Sequence, residues 1–446
     1  MKNKNERRDF LKKISTIGLG MGVAGAGAGV PGVFGEESPN DKIIVGIMGT
    51  NSRGAALAEG FAKLPGTEVG YICDVESRAL AKGMKAVEKA GQKKRPEGVR
   101  DFRRILDDKE LDALVIAAPD HWHAPAAILA LKAGKHVYVE KPCSHNPREG
   151  ELLVQAAKKY DKVVQMGNQR RSWSNVIKGI REVKEGAIGK AYFARGWYAN
   201  TRGSIGCGKT TPIPEGLDFE LWQGPAPRRA YKDNLIHYNW HWFWHWGTGE
   251  ILNNGTHFID LCRWGLEVDY PLQVSSHGGR YAYQDDWETP DTQLASYDFK
   301  EGKTISWEGR SCNGQKIEGS SVGASFHGTE GSVIIEGNGY SVFDNEGNEM
   351  KRVTLENTEA LDTTGPGFDL DADHLANFRD AIRKGAKLNS PIEDGNISVH
   401  LCQLGNIAYR TGRTLTCDTQ TGRIIGDREA MKLWNREYEP GWEPTL

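Results

Sequence analysis

Residues 42–54 read Lys-Ile-Ile-Val-Gly-Ile-Met-Gly-Thr-Asn-Ser-Arg-Gly: an apolar run, a glycine turn, and then an Ala-rich helical stretch. An unbroken apolar run suits a strand buried on both faces, and the tight turn into a helix is half of a βαβ unit. A second run, 68–73, ends at Asp74, twenty residues after Gly54. Strand-like runs at 113–118 and 136–140 then alternate with helical stretches at 125–133 and 147–160. This alternation predicts an α/β fold that opens with a Rossmann-type, doubly wound parallel sheet.

The turn fits a dinucleotide. Gly49 makes the tight bend, and Gly54 lets the helix pack closely on the strand. The middle position, where the fingerprint wants glycine beside a pyrophosphate, is Asn51, which tolerates positive φ better than most residues. Asp74 stands where a carboxylate accepts hydrogen bonds from ribose hydroxyls and repels a 2′-phosphate, which favours NAD over NADP. Thr50 and Arg53 in the turn, Pro119 after the third strand, and Glu140 with Lys141 after the fourth complete the candidate cofactor set.

Three stretches narrow the reading: Ala-Ala-Pro-Asp-His-Trp-His-Ala-Pro (117–125), Gly-Lys-His-Val-Tyr-Val-Glu-Lys-Pro (134–142) and GTGEILNNGTHFIDLCRWGL (247–266). Together they resemble the glucose–fructose oxidoreductase / inositol dehydrogenase / rhizopine-catabolism (Gfo/Idh/MocA) family, over nearly all of the chain from about Lys42 to Arg413. The resemblance implies that Lys141 and His257 face a substrate beside a nicotinamide. It commonly puts Asp four residues before the histidine, where this chain has Asn253. Asn253, His257 and Asp260 fall at i, i+4 and i+7, one face of a helix. His123 matches a position that is often His in the family.

Taking hydride from a carbinol carbon also requires taking the hydroxyl proton, so a base must lie within hydrogen-bond reach. His257, with an ordinary pKa of about 6.5, is assigned as that base. Lys141, its pKa lowered by burial beside a cationic ring, is assigned as proton partner and orienter. Asn253 is expected to contact a sugar hydroxyl, with His123 and Tyr198 as further candidates in the substrate site. That Lys141 only positions the ribose or the nicotinamide stays open.

Beyond residue 168 the alternating segments at 192–198, 273–276, 292–299 and 303–307 predict a large open, mostly antiparallel sheet. Two helices at 371–384 and 397–411 close it, giving a signal segment at 1–35, a nucleotide domain at 42–168 and a substrate domain at 169–446. The stretch NWHWFWHW (239–246) carries rings suited to stacking on sugars, and Trp242 is taken as the substrate contact; the alternative is that most of these rings are core. His237, His241 and His245 have the i, i+4, i+8 spacing of metal ligands. The stretch reads as a loop, however, and hydride transfer needs no metal, so none is expected.

The N-terminus, with Arg7-Arg8-Asp9-Phe10-Leu11-Lys12 before a Gly/Ala-rich apolar run, resembles a twin-arginine export signal, which implies the periplasm. Whether that segment is cleaved or kept as an anchor stays open. Without it the net charge falls from −2 to −6, which offers no electrostatic footprint for nucleic acid. Export also bears on function, because the periplasm offers no obvious pool of free NAD. Two redox-neutral schemes keep the nucleotide bound: oxidation of one sugar coupled to reduction of another carbonyl, or an NAD-dependent glycosidase that oxidises C3 transiently. A non-catalytic sugar-binding protein is the third reading. The expected partner is a small carbohydrate, with no stable membrane insertion, and open-faced sheets of this kind often pair in relatives, which leaves a homo-oligomer open.

Overall fold

The structure, a computed structural model, describes residues 42–354 and 368–446; the twin-arginine-like segment lies outside the described residues. Its first sheet has six parallel strands: β1 (Ile43–Met48), β2 (Thr67–Cys73), β3 (Glu97–Val99), β4 (Ala113–Ile116), β5 (His136–Val139) and β6 (Val164–Met166). They lie in the order β3-β2-β1-β4-β5-β6, so the chain reverses direction at β1 and β4, where a doubly wound sheet opens its ligand crevice. Every residue of β4 is buried, as an apolar strand covered on both faces requires.

Helix ends follow local chemistry. Pro147–Tyr160 begins with the Asn146 side chain accepting from Glu149 N at 3.0 Å, with Pro at the first turn, and ends on left-handed Asp161. The helix Asp120–Lys132 starts five residues earlier than the sequence pattern suggested, so Pro125 lies inside it. A proline there leaves the carbonyl four residues back without its helical donor. That carbonyl, His121 O, accepts instead from Arg436 Nη2 at 2.8 Å.

The second sheet has nine strands: β7 (Phe193–Ala199), β8 (Gln273–Gly279), β9 (Thr292–Asp298), β10 (Thr304–Arg310), β11 (Val322–His327), β12 (Ser332–Glu336), β13 (Gly339–Phe343), β14 (Glu349–Val353) and β15 (Leu415–Thr416). All neighbours pair antiparallel except β7 with β10, so the sheet is mixed and mostly antiparallel. Burial alternates along β9 and β10, with Ala295, Tyr297, Ile305 and Trp307 turned inward. On that inner face lies the buried helix Gly255–Leu266; a Cβ on Gly196 of β7 would come within 2.9 Å of Phe258. This close seat fixes the height of His257 on the helix.

The helix Phe368–Lys384 does not simply close the second sheet. Leu375 and Phe378 join the core of Ile43, Val45, Phe61 and Tyr138 in the first sheet. Ile392–Thr411, five residues longer at its start than the pattern predicted, packs within the larger core.

Candidate active site

The carboxyl edge of the first sheet and the helix Gly255–Leu266 border one continuous cleft with about 1460 Å³ of empty space. At one end lie Gly49, Asn51 and Asp74; at the other Lys141, Asn253 and His257; between them Arg53, paired with Glu140, and Pro119 and His123. Ten of the sequence-derived candidates therefore share one cavity. Four do not border it: Thr50, Gly54, Tyr198 and Trp242.

The turn is shaped by contact. Gly49 has φ +83°, and a Cβ there would meet the Ala118 backbone at 2.7 Å. Gly54 sits so close that a Cβ would fall 1.8 Å from Gly49 O. Asn51 is not among the positive-φ residues, so the turn needs no special conformation there. Its Oδ1 accepts from Lys82 Nζ at 2.8 Å. Thr50 is buried, with its N–H donating to Asp74 Oδ2 at 2.6 Å and its hydroxyl to Ala79 O at 2.8 Å. Asp74 accepts also from Glu76 N at 3.0 Å, and burial, the largest effect, pushes its carboxyl up against these bonds.

This edge fits a dinucleotide. Ser52 makes no side-chain cap on the helix Arg53–Lys63, and Ser52 and Arg53 bring the start of that helix to the cleft, a placement that suits a pyrophosphate. Asp74 keeps lone pairs beyond its two backbone donors for ribose hydroxyls. Arg53 is already engaged: Nε donates to Glu140 Oε1 at 2.7 Å, and Nη1 and Nη2 to Asp371 at 2.6 and 3.1 Å. It ties the turn to the Glu-Lys-Pro strand end and to the returning helix.

At the other end, Lys141 Nζ donates to Asn253 O at 2.7 Å and to Asn253 Oδ1 at 3.1 Å. Burial, the largest effect, lowers its pKa, while Glu140, Asp120 and Glu250 pull it up. His257 is 4% exposed and its Nδ1 has no partner. Burial first, then the charges of Lys141, Arg170 and Arg53, hold this ring well below the usual histidine range. His123 faces two carbonyls, with Nδ1 2.6 Å from Pro142 O and Nε2 2.7 Å from Ala118 O. Asp260, on the same helix as His257, is bound by Arg171 at 2.7 and 2.8 Å and belongs to a buried ion network.

The aromatic stretch divides. Tyr238, Trp240 and His241 border the cleft, and Trp222 and Trp122 extend this wall. Trp242 stacks on Trp287, ring centres 4.0 Å apart, under the Arg202 guanidinium, away from the cleft that Trp240 borders. Tyr198 is likewise enclosed, its hydroxyl accepting from Arg202 Nη2 at 2.9 Å. The three spaced histidines take separate partners: His237 Nε2 lies 3.6 Å from Glu76, His241 Nδ1 2.6 Å from Tyr238 O, and His245 Nε2 2.7 Å from Pro227 O. Glu250, inside the 247–266 stretch, and Arg202 adjoin Asn253, and the sequence assigned neither a role.

A dinucleotide sheet whose carboxyl edge faces a histidine-bearing helix under an open second sheet is the architecture of a nicotinamide-dependent oxidoreductase. The chain belongs to the Gfo/Idh/MocA oxidoreductase family: residues 43–168 match its NAD-binding Rossmann fold and residues 196–444 its C-terminal alpha/beta domain. It is 30% identical over 260 residues to a glycosyl hydrolase family 109 protein of Saccharopolyspora erythraea, covering 52% of this chain and 56% of that one, little more than half its length. A Parabacteroides distasonis protein of the same description is 24% identical, over 75% of this chain and 76% of the relative. Among solved structures, levoglucosan dehydrogenase in complex with NADH and levoglucosan superposes with TM-score 0.64 at 20% identity, over 84% of this chain and 99% of that one. WlbA dehydrogenase from Bordetella pertussis, in complex with NADH and UDP-GlcNAcA, gives 0.61 at 19% identity, over 84% and 99%. At such identities the likeness is one of fold.

Proposed function

We propose that the cleft holds NAD along the carboxyl edge of the first sheet and oxidises a hydroxyl-bearing carbon of a sugar or polyol at the Lys141–His257 end. The observation that carries this reading is that one cavity joins Gly49 and Asp74 to Lys141, Asn253 and His257. Bound NAD supplies a hydride acceptor. His257, neutral and on the cleft lining, takes the hydroxyl proton as the carbonyl forms. Lys141, held by Asn253, fixes the substrate oxygen and shares that proton. Trp240, on the cleft wall, is the ring placed to meet the sugar, and the start of the helix Arg53–Lys63 faces the pyrophosphate. Export to the periplasm, the reading of the N-terminal sequence, suits a nucleotide that is retained and recycled internally.

A second reading uses the same residues without net oxidation. The curated relatives are described as glycosyl hydrolases of family 109, and one from Tannerella forsythia, 30% identical over 44% of its length, as an α-N-acetylgalactosaminidase. In such a scheme a transient C3 ketone acidifies the C2 proton, the C1 substituent leaves, water adds, and the stored hydride returns. Incubating the protein with a panel of sugars and glycosides in heavy water, with products read by mass spectrometry, tests both. A product lighter by two hydrogens supports net oxidation. A cleaved sugar carrying carbon-bound deuterium at C2 supports the glycosidase. Sugar binding with no nucleotide released on denaturation overturns both.

A further inference from the structure

Position 253 carries an amide where the family commonly has a carboxylate, so the ammonium of Lys141 meets two neutral oxygens, Asn253 O and Oδ1. The nearest acid behind that amide is Glu250, on the preceding turn and 4% exposed. Its Oε1 accepts from Asn253 Nδ2 at 3.2 Å and also from Asn254 Nδ2. Its Oε2 accepts from Arg202 Nε at 3.0 Å and from Ser311 Oγ at 2.9 Å. Only one orientation of the Asn253 carboxamide satisfies both neighbours, since the reverse would set its NH₂ against an ammonium and its oxygen against a carboxylate.

We propose that Glu250 is the positioning residue for Lys141: it locks the Asn253 amide with Oδ1 toward Nζ and relays the negative charge that position 253 lacks. The inference rests on the hydride reading only for the task it gives Lys141. Arg202 pairs with Glu250, so the carboxylate is held from its far side. The other ionisable groups that act on Lys141 are Glu140, Asp120, Arg53, His257 and His241, and none of them touches the Asn253 amide. The Tyr238 hydroxyl does meet the Asn253 side chain and would compete for a freed amide.

The test titrates Lys141 directly. Brief acetic anhydride pulses across a pH series are read by mass spectrometry of the peptide holding Lys141, with thermal melting as a check of folding. In E250Q the midpoint should fall by about 0.5 to 1 pH unit, since an opposing charge is removed and the amide is free to turn. E250Q/N253D, which returns a carboxylate to the position where the family has one, should bring the midpoint back to the native value or above it. A native midpoint in E250Q overturns the proposal, as does a fall that N253D does not reverse. Should E250Q not fold, N253D alone must raise the midpoint, and an unchanged value overturns the proposal. The pulses need neither nucleotide nor sugar, so failure here leaves the hydride reading standing, and failure of the sugar panel leaves this one.

Discussion

His257 is held as a neutral imidazole, because burial and the charges of Lys141, Arg170 and Arg53 all disfavour its protonated form. Lys141 is drawn the same way by burial, against the pull of Glu140, Asp120 and Glu250. The sign follows: the neutral amine, the form that accepts a proton, appears at lower pH than for a free lysine at about 10.4, so the oxidation rate should rise with pH along a limb lying below that value. Lys141→Arg separates proton transfer from mere positioning. Arginine keeps the charge and reach but does not deprotonate, so turnover should fall by about 10²- to 10⁴-fold, as for Lys141→Ala, with bound nucleotide retained. Near-native turnover in Lys141→Arg would show that the residue only positions. Lys141, Asn253 and His257 were legible because the motifs point at them, although the single helix expected to carry Asn253 with His257 breaks at Asn254. Glu250 was not, because an acid inside the motif stretch shows nothing of its distant partners at 202 and 311. Trp242 misled for a related reason: a run of aromatic residues shows that rings gather there, and not which ring finds Trp287 first.

At the scale of elements, the nucleotide turn and the returning helix are one unit. Gly54 opens the helix Arg53–Lys63 against Gly49 O, and Arg53 bridges to Asp371 on the helix Phe368–Lys384. Gly54→Ala pushes a methyl into that backbone, so retained nucleotide should be lost with a drop in melting temperature; ultraviolet absorbance of denatured protein reads the first. Phe378→Ala tests the returning helix. Phe378 is fully buried beside Phe61 and Tyr138, and its loss should cost about 3 to 5 kcal/mol in urea unfolding while loosening nucleotide binding in a domain more than two hundred residues away in sequence. A loss below 1 kcal/mol would mean the helix merely lies against the sheet. The first sheet was legible because parallel strands are unbroken apolar runs. β11, Val-Gly-Ala-Ser-Phe-His, was missed because small residues give no contrast between its faces, both of which are mostly buried. The seat of Phe368–Lys384 was illegible for another reason: an amphipathic helix states that it will pack, and not against which of two sheets.

Across the whole molecule, acid should unfold this protein through histidines that the native state keeps neutral. His374 and His400 lie on different helices, are 0% and 4% exposed, and burial, the largest effect, pulls each to about 4. Each neutral ring is satisfied as it stands: His374 Nε2–H donates to Met166 O at 2.9 Å while Nδ1 accepts from Ser172 Oγ at 2.7 Å, and His400 Nε2–H donates to Gly422 O at 3.1 Å. The folded pKa is below the unfolded one, so the stabilisation is complete above about pH 6.5 and is lost as pH falls toward 4. Within that window the unfolded chain takes up protons that the native chain refuses, at about 1.4 kcal/mol per pH unit for each ring. Asp74 and Asp120, whose carboxyls burial pushes up, bind protons in the native state and offset part of the loss. Urea midpoints at pH 7, 6 and 5 should therefore fall, and His374→Gln with His400→Gln should flatten the slope by about 2 to 3 kcal/mol per pH unit while lowering the midpoint at pH 7. An unchanged slope in that double variant would assign the acid sensitivity to other buried histidines, His121 and His145 first among them, whose rings burial also holds well below the usual histidine range.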